Sequence, residues 1–200
     1  MSGQTIKDLK KDIYLVMHKT QEMLERAEDG FMKSKIPSLD QADELAKEIH
    51  AKEDALTTSL AQLSASNAEA RSILTVPAQI EKIATSIKRI TENTRTRIKD
   101  GMLFSDKALN DTGKLFTKSK EVLKKASEAA VTGSSAAIAG ILSEANTIER
   151  MSNDFATAHE DRLVSGECAP KSSSTYLCLL YAFEDMSAHL KEAVKKLEVK

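Results

Sequence analysis

The sequence predicts an all-α protein built as two tandem antiparallel three-helix bundles with six long helices. Composition, the spacing of apolar residues and an internal repeat predict this fold. The 200 residues are 30% charged and 41% hydrophobic, yet they include only 7 Gly, 3 Pro and 4% aromatic residues. Chains rich in helix formers and poor in helix breakers fold predominantly as helices.

The internal repeat is visible in two similar segments. Ile80–Ile83 and Phe183–Met186 each lie within the third long helical segment of one half of the chain. An internal repeat constrains the architecture before individual residues are considered. We therefore expect a first three-helix repeat over residues 1–100 and a second over residues 101–200, combined in one compact domain.

The first predicted helix extends from about Thr5 to Lys33, because its apolar residues recur at steps of three and four. Its apolar stripe consists of Leu9, Ile13, Val16, Thr20, Met23 and Ala27. Ser38 is the expected N-cap of the second helix, which ends near Asn67.

The third predicted helix begins near Ala68 and ends before Gly101. Pro77 lies inside this segment, and a proline there predicts either a kink or the end of a short leading turn. Basic residues are concentrated in the second part of the helix, and they indicate either a solvated face or a docking surface for an acidic partner or lipid headgroups. This basic cluster consists of Lys88, Arg89, Arg95, Arg97 and Lys99.

The second half follows the same order of elements. Ser105 is the expected cap of the fourth helix, and the turn at Thr132–Ser135 precedes the fifth. The irregular stretch Ser165–Pro170 then precedes the sixth helix, from about Ser172 to Leu197.

Charge, cysteines and hydropathy exclude several classes of protein. With 29 basic and 30 acidic residues, the formal net charge is -1, so we expect no nucleic-acid partner. The longest apolar run, Tyr176–Phe183, is far shorter than the roughly 20 residues of a membrane span, so we expect no insertion into a membrane. Cys168 and Cys178 form no disulfide framework, which is typical of a reducing cytoplasm, and Cys178 is expected in the core.

The sequence contains none of the common catalytic motifs. It has no nucleophile turn of the type Gly-x-Ser-x-Gly, no phosphate-binding glycine loop and no Glu-x-x-His signature of a di-iron bundle. We therefore predict a protein that is not an enzyme.

Two regions resemble a known family. Gly101–Leu109 is similar to the glycine, Phe-Ser and helix start that separate the repeats of PhoU-domain proteins. Arg162–Cys168, followed by Tyr176–Leu180 and Glu184, is similar to their last loop and last helix. The resemblance covers nearly the whole chain and is closest to the cytoplasmic PhoU domain of sodium/phosphate cotransporters.

The resemblance implies a cytoplasmic regulator of phosphate uptake or phosphate-starvation signalling. Its expected partner is a membrane phosphate transporter or a sensor kinase, which would bring it to the inner face of the membrane. A homodimer is also expected, since closed dimers are the commonest oligomers. A generic helical adaptor remains an alternative, although capped turns after about four heptads favour a closed bundle over a rod.

Many PhoU-domain proteins bind iron or zinc clusters through a Glu-x-x-x-Asp motif on the third helix of each repeat. This spacing places both carboxylates on one helical face. Here Glu81 is followed by Thr85 and Glu184 by Ala188 at the second position, so we expect no cluster and no cofactor. A mononuclear metal held by Glu81, Glu184 and His189 is the alternative.

With these metal ligands depleted, we expect protein contacts to carry the function. The candidate partner-binding residues are Glu81, Arg89, Glu184, Asp185 and His189.

Overall fold

The computed structural model describes residues 5–168 and 170–198, and these residues form helices and connecting turns without any strand. The prediction of an all-α fold with six long helices is confirmed, and one short helix is added. The helices are α1 (Ile6–Lys33), α2 (Ile36–Ser64), α3 (Ala68–Ile73), α4 (Val76–Lys99), α5 (Asp106–Thr132), α6 (Ser135–Val164) and α7 (Pro170–Lys196).

Side-chain caps define where several helices begin. Thr5 and Asp8 form a reciprocal capping box at α1. The Ser105 and Ser134 hydroxyls accept backbone N–H groups at the start of α5 and α6. Gly133 ends α5 with a φ of 60°, a left-handed conformation that costs glycine little.

The predicted N-cap at Ser38 is wrong, because α2 begins at Ile36 and Lys35 occupies the N-cap position. Pro37 lies in its first turn, where a missing backbone N–H costs nothing. Ser38 is therefore buried inside the helix, and its hydroxyl donates to Asp29 Oδ2 at 2.5 Å.

Prolines also define two later helix starts. Pro77 lies in the first turn of α4, and the separate helix α3 ends before it at Ile73, so the second of the two predicted outcomes is confirmed. Similarly, α7 begins at Pro170 and not at Ser172.

Equivalent helices of the two halves pack against each other. The first helices form one pair, α1 on α5, and the third helices form another, α4 on α7, while α2 and α6 each pack on the other two long helices of their own half. Gln79 contacts His189 near one end of the second pair, and Met102 contacts Thr175 at the other end. The helices α4 and α7 therefore run antiparallel.

A single continuous hydrophobic core extends through both halves. Aromatic rings connect its elements: Phe31 of α1 contacts Phe104 and Phe116, and Phe116 contacts Phe183 of α7. Phe104 also contacts Tyr176. Neighbouring ring centroids lie between 4.9 and 6.2 Å apart in tilted or edge-on geometry, which aromatic pairs prefer.

Arg97 is buried, unlike the solvated residue that the basic cluster suggested. Its guanidinium lies 4.4 Å from the centroid of the Phe31 ring, and Nη2 donates to the Phe31 carbonyl at 2.5 Å and to Ser34 Oγ at 3.2 Å. Burial lowers the pKa of Arg97. The side chain thus satisfies a carbonyl at the end of α1 from the neighbouring helix α4.

The prediction that Cys178 lies in the core is wrong, since its side chain is exposed. Tyr181 and Asp185 follow it at steps of three and four on the outer face of α7, whereas Leu179 and Phe183 lie on the buried face. The continuous apolar run obscured this periodicity. Within the described ranges, no helix is long and apolar enough to cross a membrane.

Gly30 lies at a close approach of α1 and α2, so we expect Gly30→Ala to destabilise the fold. An added Cβ would lie 2.2 Å from Leu39 Cδ2, and Leu39 is itself fully buried. Overpacking of this kind costs about 1–3 kcal/mol of unfolding free energy. Urea denaturation monitored by circular dichroism measures the loss.

Gly140 provides the matched control on α6. It is exposed, and no atom lies within 4 Å of the position that its Cβ would take. Gly140→Ala should therefore stabilise the protein by about 0.5–1 kcal/mol through helix propensity. Equal effects of the two substitutions would contradict the close packing of α1 and α2.

Candidate functional site

A charged groove of about 710 Å³ lies between α2 and α4. Carboxylates outnumber ammonium groups on its walls. The charged lining consists of Asp40, Asp43, Glu44, Lys47, Glu81 and Lys88. Arg95 Nη2 lies 2.7 Å from both Asp40 Oδ1 and Asp43 Oδ2, so two of the groove's carboxylates are already paired with a cation.

Glu81, the first predicted site residue, faces this groove. Its Oε1 lies 3.5 Å from Nδ1 of His50, and its Oε2 is buried without a hydrogen-bond partner among the residues that the structure describes. Burial raises the pKa of Glu81, while the nearby His50 acts in the opposite direction. The carboxylate is therefore held in an environment that disfavours its charge. His50 is a neighbour that the sequence analysis missed.

Arg89 and Asp185 form an ion pair between α4 and α7. The two side chains are 42% and 50% exposed, and exposed pairs contribute only about 0–1 kcal/mol. Two residues predicted as partner-binding are thus brought together, although in this structure they bind each other.

His189 lies half-buried on the same pair of helices. Its Nδ1 lies 3.2 Å from Oε1 of Gln79, which fits a neutral ring that donates from Nδ1. Burial, followed by the positive charge of Lys82, lowers the pKa of His189. Gln79 thereby fixes the orientation of the imidazole, and no sequence motif indicated this partner.

Glu184 is half-buried on α7, next to Asp185. Throughout residues 5–168 and 170–198, no three His, Cys, Asp or Glu side chains are grouped closely enough to hold a metal ion. Glu81 faces α2, whereas His189 contacts Gln79 of α4. Glu81, Glu184 and His189 are therefore not assembled as a three-ligand site.

Two solved structures resemble the chain over nearly its full length. PhoU from Pseudomonas aeruginosa matches it with a TM-score of 0.86 at 11% sequence identity, covering 95% of this chain and 93% of that one. The phosphate transport system regulatory protein PhoU from Streptococcus pneumoniae matches with a TM-score of 0.84 at 12% identity, covering 96% and 92%. The chain has the PhoU fold.

The PhoU resemblance predicted from Gly101–Leu109 and from the last loop and helix is confirmed at the level of the fold. No protein-family model matches the sequence, and no curated protein matches it significantly. The PhoU fold is thus present here with a sequence that has diverged far from that of either solved structure.

Neutralising Glu81 should stabilise the protein at neutral pH. Since burial raises its folded-state pKa above the ordinary 4.5, Glu81 favours folding while protonated, and this contribution is lost as the pH rises through the folded-state pKa. We expect Glu81→Gln to raise the unfolding free energy by on the order of 0.5 kcal/mol at pH 7, with no gain below the ordinary pKa. Urea denaturation at pH 4 and pH 7 measures the difference.

The control is Glu160→Gln, which changes an exposed carboxylate of α6. It should alter the unfolding free energy little at either pH. A destabilising effect of Glu81→Gln at pH 7 would mean that the charged carboxylate and His50 stabilise the groove.

Proposed function

We propose that the chain is a non-enzymatic regulatory or accessory protein of inorganic phosphate transport that binds a membrane phosphate transporter or a sensor kinase. One observation carries the proposal: the likeness to two PhoU proteins, one of them a phosphate transport system regulatory protein, extends over 95% and 96% of the chain. At this coverage the likeness includes the helices of both repeats and is not confined to one of them. The protein would act in the cytoplasm as a homodimer, at the inner face of the membrane through its partner.

The surface proposed to bind the partner is the α4–α7 face, defined by Arg89, Glu184, Asp185 and His189. Arg89 and Asp185 form an ion pair that is about half exposed, so it contributes little to stability. A partner with complementary charges can therefore form new ion pairs with Arg89 and Asp185 in place of the internal one, at little cost in free energy. Complementary charges also increase the rate and specificity of association.

The buried Ser–His pair lacks the arrangement of a nucleophilic triad. His159 Nε2 lies 2.8 Å from Ser173 Oγ, which resembles the first two members of a nucleophilic triad. Nδ1 of His159, however, is buried without any hydrogen-bond partner in the described part of the chain. The carboxylate that orients the base in a triad is thus missing from this pair, and both residues are almost fully buried.

Affinity purification from gently solubilised native membranes tests the proposal. A phosphate transporter or its sensor kinase should co-purify with the tagged wild-type protein, as identified by quantitative mass spectrometry. The double variant Arg89→Glu with Asp185→Lys restores the internal ion pair but reverses the charges that a partner meets. It should recover about tenfold less of the partner.

Arg150→Glu reverses one exposed charge on α6 and should leave recovery unchanged. Recovery of unrelated proteins alone by the wild type would contradict the phosphate assignment. Equal recovery by the double variant would keep the function but overturn the α4–α7 face as its site.

A further inference from the structure

A second, smaller pocket of about 220 Å³ lies where the N-termini of α5 and α7 meet the C-terminus of α6. We call it the α5–α6–α7 pocket. It is separate from the groove between α2 and α4 and from the α4–α7 face. Its lining includes Phe104, Ser105, His159, Cys168, Ser172 and Tyr176.

Buried polar atoms without partners belong to two side chains that line this pocket and to Arg162, which lies beside them. Tyr176 and His159 both line the pocket and are 1% and 3% exposed, yet the Tyr176 hydroxyl and His159 Nδ1 have no hydrogen-bond partner among the described residues. The same holds for Nε and Nη2 of Arg162. Arg162 lies close to both, since its charge acts on the pKa of each, and its side chain also lowers the pKa of Tyr176 as a hydrogen-bond donor. The guanidinium therefore approaches the Tyr176 hydroxyl, although the two groups do not reach the geometry of a full hydrogen bond in the described part of the chain. Leaving several buried polar groups unpaired is costly, so their grouping indicates a missing occupant.

The unpaired atoms can all act as hydrogen-bond donors. Arginine has N–H groups only. Burial raises the pKa of Tyr176 to about 12, so its hydroxyl keeps its proton at neutral pH. Burial lowers the pKa of His159, and when Ser173 donates to Nε2 of the neutral ring, the ring proton lies on Nδ1. In that tautomer all of these atoms can donate, so an occupant that supplies acceptors satisfies them together.

The charges around the pocket favour a negative occupant. The N-termini of two 27-residue helices, α5 and α7, contribute partial positive charge. The C-terminus of α6, in contrast, carries partial negative charge. There the carbonyl of Arg162 already accepts the backbone N–H groups of Glu167 and Cys168, at 2.9 and 3.2 Å. No carboxylate within the described ranges accepts from the two unpaired guanidinium nitrogens.

Two carboxylates near the pocket act against an anion. Asp111 is fully buried, and Lys107 Nζ donates to both of its oxygens at 2.8 Å, with Lys114 Nζ 3.6 Å away. Its negative charge is therefore compensated. Glu167 lines the pocket and accepts from Ser165 Oγ at 3.1 Å, which holds its carboxylate in the loop.

We propose that the α5–α6–α7 pocket binds a small tetrahedral oxyanion, held by the side chains of Arg162, Tyr176 and His159. The volume holds about seven water molecules of ~30 Å³ each, which suits a free ion with a few waters. The unpaired donors carry the proposal of a site, whereas the choice of inorganic phosphate as the ion rests on the proposed function.

Isothermal titration calorimetry of the purified protein with inorganic phosphate, at an ionic strength balanced with potassium chloride, tests this site. The wild type should bind one phosphate per chain with a Kd of about 1 mM or tighter. Arg162→Gln and Tyr176→Phe should each weaken binding about tenfold or more, because each removes donors to a charged ligand. Arg150→Gln, an exposed arginine on the same helix, should bind as the wild type does.

Thermal denaturation separates loss of binding from loss of folding. Tyr176→Phe removes a buried hydroxyl that makes no full hydrogen bond with any residue that the structure describes, so without phosphate its Tm should equal or exceed that of the wild type. Phosphate should raise the Tm of the wild type and of Arg150→Gln, but not that of Arg162→Gln.

An absence of phosphate binding by the wild type would overturn the site. So would equal affinity in Arg162→Gln, which would locate binding elsewhere, or an equal Tm increase in chloride alone. These failures differ from a failure of the proposed function, because partner recovery from membranes does not require the pocket to be occupied.

Discussion

The packing of α4 against α7 is the constraint on which the rest of the structure depends. Besides packing on each other, α4 packs on α1 and α2, and α7 packs on α5 and α6, so each lies at the centre of its own half. All three surfaces of interest involve one of these two helices. Glu81 on α4 faces the charged groove, Arg89 and Asp185 join the two helices, and Tyr176 on α7 lines the small pocket.

The aromatic rings and one buried cation complete this arrangement. Phe31 at the end of α1 contacts Phe116 of α5 and supports the guanidinium of Arg97 from α4. A buried charge is costly unless it is paired, and here a carbonyl and two aromatic rings surround it. This contact fixes the end of α1 near the loop that carries Phe104. Phe104 in turn contacts Tyr176, so this series of aromatic contacts connects the core to the edge of the α5–α6–α7 pocket.

The sequence predicted the helices well because apolar spacing and caps are local signals, whereas the contacts at the sites join distant residues. Arg97 continues the buried stripe of Ile90 and Thr94 at steps of four and three, and this spacing could have shown that it points inward. The contact between His50 and Glu81 has no such signal, since it depends on how α2 packs on α4. The unpaired donors near Tyr176 likewise become visible only when three helix ends meet.

Native-state hydrogen exchange, followed along the chain by NMR, tests most directly whether the two halves form one cooperative unit around α4 and α7. We predict that core amides of both helices exchange only through global unfolding and share one opening free energy in increasing denaturant. A lower opening free energy for all core amides of one half, with the other half still protected, would contradict the account. The two halves would then be separate units that only lie side by side.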